Sequence, residues 1–576
     1  MKRPIETQFP APSAPSDVSG EQAKSRRALL KTLVGIGVGS AVFRRALAVQ
    51  VAQKGKVTGE MIKQSEWIAG LQLSDEDRKE AASSMDSTLR TFRTLRQVPL
   101  ENGVAPALFF DPSLGEIADS TSSQVDVKPI ESKAPRRPDK NEDIAFMPVS
   151  ELSALLRNRK ISSVELTKIY LERLKKYDPA LLCVVTMTEE LALKQAKQAD
   201  REIAAGRYRG TLHGIPWGAK DLIGYPGYPT TWGAPHNKKQ MLADRATVAR
   251  RLDDAGTVLL AKLSLGALAQ GDKWFRGMTR SPWNLAQGSS GSSAGSSSAT
   301  AAGLVGFSLG SETLGSIVSP SRRCGNSALR PTYGRVSRYG CMTLAWTMDK
   351  IGPICRSIED CALVFGALLG RDGLDPTVVD RPFQWPLRRD LRSLTVGYFE
   401  SRNQATKDRE ELKVLKSLGV KLVPVKLPDK LPVRPLTSIL TVEAATVFDE
   451  LTRKGITEGL NSWPRTFKRG QFIPAVEYLR ANRVRTLLIQ EMQKFFKQCD
   501  LYVGGNDLVL TNFTGHPTAV LPNGFRNRMG VSVPYAITFT GRLYGESELL
   551  AVAHAYQQAT GQHLKRPPLD AQVKKK

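Results

Sequence analysis

Residues Gln287–Pro331 read QGSSGSSAGSSSATAAGLVGFSLGSETLGSIVSPSRRCGNSALRP, and the interpretation of the whole chain begins from this stretch. Dense glycine and serine alone would be typical of a flexible linker. Here they are interleaved with alanine, leucine, valine and phenylalanine, so we expect the stretch to fold tightly inside a core. Glycine allows backbone segments to approach closely and to adopt positive φ angles, and clustered serines supply hydroxyl groups for chemistry.

The length and net charge of the chain narrow the possible classes of protein. A chain of 576 residues, 41% of them hydrophobic, can form one large domain with extensions or two to three smaller domains. Its 82 lysines and arginines exceed its 56 acidic residues, which gives a net charge of +26. Such an excess can mark a nucleic acid or an anionic surface as partner. Because the basic residues are scattered and no zinc-finger, arginine-rich or aromatic RNA-binding pattern accompanies them, we predict a solvated basic surface and no nucleic-acid partner.

The cysteines exclude two further classes. They are thinly spread and form no CxxC pair, a spacing that supports neither a disulfide framework nor a zinc site. We therefore expect no metal and no organic cofactor. The six positions are Cys183, Cys324, Cys341, Cys355, Cys361 and Cys499.

A separate signal stands near the N-terminus. Ser25–Lys31 reads SRRALLK and resembles a twin-arginine export signal; a mildly apolar segment of 12 residues (32–43) and a candidate cleavage site at Ala46–Ala48 follow. Twelve residues are too few to span a bilayer, so no stable membrane insertion is expected after cleavage. Residues 1–48 are thus predicted to be a bacterial signal peptide for a periplasmic or secreted protein. The alternative is an ordinary basic amphipathic helix, with the protein remaining in the cytoplasm.

Composition divides the remainder of the chain. Residues 49–125 are predicted to be a helical N-terminal extension, and the Pro- and charge-rich residues 126–143 a linker. The main domain is expected over residues 144–565, followed by a basic tail at 566–576.

Helical periodicity and short apolar strands alternate along the main domain. A capping box at Ser162–Glu165 predicts the start of one helix, and an Ala-rich second helix over 188–205 is expected to end at Gly206. This alternation predicts a single large α/β domain, with a mixed central sheet flanked by helices on both faces. Further helices are expected at 245–255 and 546–560, and strands at 257–260, 394–398 and 501–503.

Three segments carry the candidate chemistry. Gly214–Asp221 reads GIPWGAKD and is predicted to be a turn, Gly291–Ser296 reads GSSAGS, and Gly310–Ile317 reads GSETLGSI. In their order and spacing they resemble the amidase signature family of serine hydrolases, and the resemblance covers roughly residues 145–565. Agreement across several ordered segments is far more specific than any single motif. Supporting matches lie at Ser281–Asn284, Leu329–Thr332, Asp349–Pro353 and Asn512–Pro517.

The resemblance implies three catalytic roles. Ser316 is expected to be the nucleophile, Ser292 a bridging serine held by a cis peptide bond, and Lys220 the base. Lys220 precedes Ser292 by 72 residues and Ser292 precedes Ser316 by 24, as the family requires. The backbone N–H groups of Thr313, Leu314, Gly315 and Ser316 are expected to form the oxyanion hole, worth about 3–4 kcal/mol per donor.

Together these three residues would form a serine–lysine variant of the Ser-His-Asp catalytic triad. A serine hydroxyl is a poor nucleophile until its proton has an acceptor. Lysine accepts that proton only when neutral, so burial must lower its pKa from about 10.4 toward neutrality. The resemblance thus implies an amidohydrolase that cleaves the C–N bond of a small-molecule amide through an acyl-enzyme; a homodimer is a possible assembly.

The chain departs from the family pattern beside the nucleophile. The family usually has Asp, Gly and Arg where this chain has Glu312, Leu314 and Val318. Leu314 is expected to narrow the allowed backbone conformations and to crowd the acyl pocket. No departure removes the nucleophile, the relay or the base, so the departures concern substrate range and efficiency. His516 and His554 belong to no serine motif and are expected to be structural.

Three alternatives remain open at this point. Gly291–Gly295 matches G-x-S-x-G, which would make Ser293 the nucleophile of an α/β-hydrolase, although Ser281–Asn284 upstream is a poor strand. A second interpretation is the glutaminase component of glutamyl-tRNA(Gln) amidotransferase, its A subunit, against which the export signal argues. A third is a non-catalytic, amidase-like protein that binds an anionic polymer through its positive charge.

Overall fold

The computed structural model describes residues 56–100, 108, 125–130, 135–400, 409–505, 507–528 and 530–573. The predicted signal peptide lies outside the described residues. The structure divides into two compact units, Met1–Ser87 and Thr88–Lys576. Because this division falls within a helix and not in the expected linker, the domain limits given above stay predictions.

The helices are named here in chain order. They are α1 Gly59–Lys63, α2 Asp75–Arg96, α3 Asn141–Ala145, α4 Val149–Arg157, α5 Ser163–Leu181, α6 Glu189–Ala204, α7 Thr247–Asp254, α8 Ala294–Ala301, α9 Val318–Cys324, α10 Ile358–Leu368, α11 Glu410–Ser417, α12 Thr437–Val447, α13 Asp449–Arg453, α14 Trp463–Gly470, α15 Ala475–Phe495, α16 Leu508–Thr514, α17 Glu546–Thr560 and α18 Leu569–Val573.

The strands are named in the same way. They are β1 Val125–Val127, β2 Val184–Met187, β3 Pro216–Lys220, β4 Val258–Leu263, β5 Lys273–Trp274, β6 Gly277–Met278, β7 Arg280–Ser281, β8 Asn284–Gly288, β9 Phe307–Glu312, β10 Ser327–Arg330, β11 Lys350–Cys355, β12 Phe383–Trp385, β13 Thr395–Tyr398, β14 Lys421–Pro424, β15 Leu501–Val503, β16 Thr518–Arg528 and β17 Val531–Gly541.

One large mixed sheet organises the second unit. Its strand order is β14-β13-β15-β17-β16-β10-β11-β9-β3-β4-β2. β3 pairs in parallel with both β4 and β9, whereas β9 pairs antiparallel with β11. Helices flank this sheet, which confirms the α/β class predicted from the alternation of helices and strands.

Local sequence signals explain the ends of several helices. The Ser162 hydroxyl accepts a hydrogen bond from the Glu165 N–H at 3.0 Å, so the predicted cap at the start of α5 is confirmed. α6 ends two residues before Gly206, and Gly561 directly follows α17; both glycines have positive φ, of 77° and 62°. In the first unit the Ser74 hydroxyl caps α2 by accepting from the Asp77 N–H at 3.1 Å.

The larger apolar core includes the paired strands β3 and β9. Trp217 of β3 stacks on Phe307 of β9 with ring centroids 6.1 Å apart, and both side chains are fully buried. Each such burial stabilises the fold by about 1.5–3 kcal/mol. A second apolar cluster joins α15 to α16 and β15 through Leu488, Leu510 and Tyr502.

Two segments predicted to lie outside the main domain make ordered contacts with it. β1, at the start of the expected linker, pairs in parallel with β12. In the expected tail, Asp570 of α18 forms an ion pair with Lys176 at 2.7 Å, and the Gln572 amide donates to the Pro282 carbonyl at 3.0 Å. None of the described helices combines the length and the apolar character that crossing a membrane requires.

Candidate active site

The predicted nucleophile lies on a tight connection between a strand and a helix. β9 ends at Glu312 and α9 begins at Val318, so the five residues between them carry Ser316, which is half-buried. Gly315 has a φ of +93°, a conformation that L side chains rarely adopt. The turn therefore depends on glycine at the position before the predicted nucleophile.

Lys220 reaches this region from the neighbouring strand. The sequence predicted a turn around it, and that was wrong: Lys220 is the last residue of β3, which is buried along its whole length. Because β3 runs parallel to β9, with Ala219 opposite Leu309, the carboxyl ends of both strands lie at one edge of the sheet. Parallel pairing thus brings Lys220 toward the turn that carries Ser316.

Hydroxyl and carbonyl oxygens surround the Lys220 ammonium. Its Nζ lies 2.8 Å from Ser292 Oγ, 3.1 Å from Ser293 Oγ and 2.9 Å from Ser311 Oγ. The Ser311 carbonyl oxygen lies 3.2 Å from the same nitrogen. All four of these atoms are neutral, so no formally charged group makes a hydrogen bond to the amine.

Burial decides the charge state of Lys220. The side chain is fully buried, and removal from water lowers its pKa to about 7, although the negative charges of Asp349 and Glu312 oppose that shift. The adjacent Asp221 does not compensate, because it forms a buried ion pair with Lys262 at 2.9 Å. Near neutral pH a substantial fraction of Lys220 is therefore unprotonated and able to accept a proton.

Ser292 lies beside this amine in a closely packed segment. The Gly291–Ser292 peptide bond is cis, and Ser292 is almost fully buried. A Cβ on Gly291 would lie 1.9 Å from the Gly271 carbonyl oxygen, so glycine is required there by close backbone approach. The Ser293 N–H donates to the Ser316 carbonyl oxygen at 3.1 Å, which ties this segment to the turn of the predicted nucleophile.

Ser293 does not stand on a nucleophile elbow. Its side chain is fully buried; its hydroxyl donates to the Ser311 carbonyl oxygen at 3.1 Å and accepts from the Ser311 N–H at 3.2 Å. The strand before it, β8, pairs only with β7 in a two-stranded sheet apart from the central one. The α/β-hydrolase alternative with Ser293 as nucleophile is therefore wrong.

The buried carboxylate of Glu312 binds backbone N–H groups of the turn that carries Ser316. Glu312 Oε2 accepts from the backbone N–H groups of Ile317 and Val318 at 2.8 and 2.9 Å. Glu312 Oε1 accepts from Arg330 at 2.9 Å and from the Asn512 amide at 2.8 Å. Burial alone would raise the pKa of Glu312, but Arg330 and Lys350 hold it at about 2. Glu312, which stands where the family usually has the shorter Asp, is therefore ionised, and both of its oxygens accept hydrogen bonds that hold the turn of Ser316 in place.

Leu314, the residue expected to crowd the acyl pocket, packs against apolar side chains. It is half-buried and contacts the cluster that contains Leu510 and Phe513. Its φ is not positive, so leucine introduces no backbone strain at this position. Its effect on substrate range stays a prediction.

Sequence reasoning missed two residues that contact the site. Ser311 precedes Glu312 on β9 and binds Lys220 through both its hydroxyl and its carbonyl oxygen. Asp349 accepts a hydrogen bond from the Thr313 hydroxyl at 2.6 Å. Asp349 lay within a quoted motif, but only the pairing of β9 with β11 shows which residue it contacts.

The histidines have structural surroundings. His516 is buried, its Nδ1 lies 2.8 Å from Thr514 Oγ1, and its ring stacks on Phe496 with centroids 4.9 Å apart. His554 packs edge-on against Trp385 at 5.5 Å. Among the described residues no group of three or more His, Cys, Asp or Glu side chains is arranged to hold a metal ion, and all six cysteines are free thiols.

Comparison with known proteins shows which family the chain belongs to. The chain matches the Amidase family model over residues 165–504. It is 32% identical to the A subunit of glutamyl-tRNA(Gln) amidotransferase from Moorella thermoacetica, over 74% of this chain and 99% of that protein. It also superposes on the native peptide amidase of Stenotrophomonas maltophilia with a TM-score of 0.64 and 28% identity, covering 73% of this chain and 98% of that one. An amidase family protein from Bacillus anthracis gives a TM-score of 0.66 at 25% identity, over 74% and 93%.

Fold, site and similarity together define an enzyme that hydrolyses C–N bonds of amides. The chain belongs to the amidase family, with the α/β fold of the amidase signature enzymes. The interpretation as a non-catalytic binding protein is accordingly not supported.

Proposed function

We propose that this amidase acts through an acyl-enzyme on Ser316, with Ser292 and Lys220 as its proton relay. The observation that carries the proposal is the 2.8 Å contact between Lys220 Nζ and Ser292 Oγ, two atoms that belong to buried side chains. A buried amine that is partly neutral near pH 7 and in contact with a serine is the arrangement that activates a serine nucleophile.

The proposed reaction has two stages, acylation of Ser316 and hydrolysis of the acyl-enzyme. Ser316 Oγ attacks the amide carbonyl carbon while its proton passes to Ser292 and the Ser292 proton passes to Lys220. The negative charge that develops on the carbonyl oxygen is stabilised by the N–H groups of residues 313–316. Collapse of the tetrahedral intermediate breaks the C–N bond, and the proton returns through Ser292 to the departing amine. Water then attacks the acyl ester by the same relay and releases the carboxylic acid and free Ser316.

Fluorophosphonate labelling tests this assignment without requiring a known substrate. Intact mass and peptide mapping should find a single adduct on Ser316, and Ser316→Ala should abolish both labelling and turnover of amides. Ser319→Ala is the matched control: it removes a half-buried hydroxyl one residue into α9 and should label at the wild-type rate. An adduct on Ser293, or none on the folded protein, would overturn the assignment.

A second candidate function rests on the relatives. Several curated proteins that are 30–32% identical over 97–99% of their own length are named as the A subunit of glutamyl-tRNA(Gln) amidotransferase. On this interpretation the chain would release ammonia from glutamine for a partner protein. Ammonia production from free glutamine, compared with release from peptide and small carboxylic amides, separates the two: glutamine as the preferred substrate would favour the amidotransferase function.

We further propose that residues 1–48 export the enzyme. Paired arginines at Arg26 and Arg27 before a short apolar segment support this. A reporter fused behind residues 1–48 should reach the periplasm of a host with twin-arginine transport, and Arg26→Lys combined with Arg27→Lys should retain it in the cytoplasm. Equal export of both fusions would contradict the proposal.

A further inference from the structure

One carboxylate outside the serine–lysine relay contacts the turn that carries the predicted nucleophile. Asp349 directly precedes β11, and Lys350, the first residue of that strand, pairs with Glu312, the last residue of β9. Beyond this pair the two chains continue with Asp349 on one side and Thr313 on the other. Antiparallel pairing thus brings Asp349 next to the first amide of the proposed oxyanion hole.

Both oxygens of Asp349 are used. Oδ1 accepts from the Thr313 hydroxyl at 2.6 Å, and Oδ2 accepts from the backbone N–H groups of Leu344 and Ala345 at 2.7 and 3.0 Å. The Asp349 N–H in turn donates to the Ala345 carbonyl oxygen at 3.0 Å. Hydrogen bonds to an ionised acceptor are roughly twice as strong as neutral ones. The carboxylate therefore clamps Thr313 to a loop that is itself folded around it.

The loop that binds Asp349, residues 344–347, also contacts two buried charged side chains. The Thr347 N–H and hydroxyl both contact the Glu443 carboxylate, at 3.0 and 2.7 Å. Arg485 donates to the Thr347 carbonyl oxygen at 2.7 Å and to its hydroxyl at 2.8 Å. Thr313 is thus tied through Asp349 to helices α12 and α15, which carry Glu443 and Arg485. Because Asp349 and the loop around it are themselves held by these hydrogen bonds, the contact can keep the backbone N–H of Thr313 in a fixed direction.

We infer that Asp349 is a positioning residue for the amide hydrolysis, one that fixes the Thr313 N–H for the oxyanion. The inference rests on the proposed function, because it assigns Asp349 a role toward the same transition state. An oxyanion donor contributes only when its direction is fixed before the reaction. The charge effect is separate: Asp349 opposes the burial that lowers the Lys220 pKa.

Two substitutions separate the two effects. In Asp349→Asn the side-chain oxygen can still accept from Leu344 and Ala345 while the new amide donates to the Thr313 hydroxyl, so the clamp persists and the charge is lost. In Thr313→Val the charge persists and the clamp is lost. Thr313→Ser, which keeps the hydroxyl, is the conservative variant and should lose less activity than Thr313→Val.

The test is the pH profile of fluorophosphonate labelling at Ser316, together with kcat and KM on a chromogenic 4-nitroanilide that the wild type cleaves. For Asp349→Asn we expect the labelling profile to keep its plateau and move to lower pH, by roughly half a unit, because loss of a negative charge favours neutral Lys220. For Thr313→Val we expect the profile to keep its position while kcat falls about tenfold or more with KM nearly unchanged, a smaller loss than deletion of a whole oxyanion donor.

The outcomes are distinct. If the wild type labels at Ser316 but Thr313→Val and Thr313→Ser have the same kcat, the positioning role is overturned and the proposed function stands. If Asp349→Asn leaves the labelling profile in place, the charge effect on Lys220 is overturned. If Thr313→Val loses only thermal stability, with kcat unchanged in the folded fraction, the clamp is structural and the inference is again overturned. Failure of the folded wild type to label at Ser316 would overturn the proposed function, and this inference with it.

Discussion

Lys220 Nζ and Ser292 Oγ lie 2.8 Å apart although 72 residues separate them in the chain. Lys220 is the last residue of an interior strand of the sheet, and Ser292 follows a cis peptide bond two residues before a buried helix. The proposed relay rests on this contact, because a buried amine and a buried hydroxyl at that distance are close enough to exchange a proton.

Replacement of Lys220 by methionine should abolish the relay while keeping its volume. Lys220→Met is expected to reduce the rate of fluorophosphonate labelling by about 10²–10⁴-fold, the usual contribution of general base catalysis. The measurement is the second-order labelling rate at pH 8. Circular dichroism and thermal melting of the variant serve as control, and a folded Lys220→Met protein that labels within threefold of the wild type would contradict the role of the lysine.

Activity should rise with pH through neutrality. Lys220 has a pKa of about 7 and accepts a proton only in its neutral form, so protonation below that pH removes the base. We expect kcat/KM for a non-ionising amide to increase about tenfold per pH unit below the midpoint and to level off above it. A profile that is flat from pH 5 to 9 would show that no group with this pKa controls the reaction.

Loss of the cation that pairs with Glu312 should destabilise the fold. Arg330 donates to Glu312 at 2.9 Å with both side chains fully buried. Arg330→Met leaves a buried carboxylate without its main counter-charge, at a cost of about 3–5 kcal/mol in the free energy of unfolding. Urea unfolding measures the change. The double variant with Glu312→Gln should lose less than Arg330→Met alone, and equal losses would mean that the pair contributes through packing only.

Leu314 should matter more for stability than for the chemical step. Its side chain packs against the cluster of Leu510 and Phe513, so Leu314→Gly is expected to lower the free energy of unfolding by about 2–4 kcal/mol. Labelling at Ser316 should persist. Comparison of fluorophosphonates with short and long alkyl chains tests the crowding idea: a selective gain for the long probe in Leu314→Gly would show that the leucine limits the acyl pocket.

Much of the fold was predictable from local signals. The Ser162 cap, the helix before Gly206 and the apolar run of β4 act over a few residues, so the sequence sufficed to locate them. The chemistry-bearing segments were recognised from their order and spacing. Lys220, in contrast, was expected on a turn and lies on a strand, because Gly214–Asp221 contains a proline and two glycines that favour a turn locally. Pairing with two neighbouring strands outweighs that preference.

Ordered motifs along one chain were enough to establish the family, the α/β class and the identity of the lysine and serines proposed for the relay. The protonation of Lys220 needed the folded structure, since its pKa depends on complete burial among hydroxyl groups from residues 72 to 91 positions away. The contact between Asp349 and Thr313 needed it as well, because that contact depends on the register of two antiparallel strands. Burial and register are long-range properties, and no local pattern of residues encodes them.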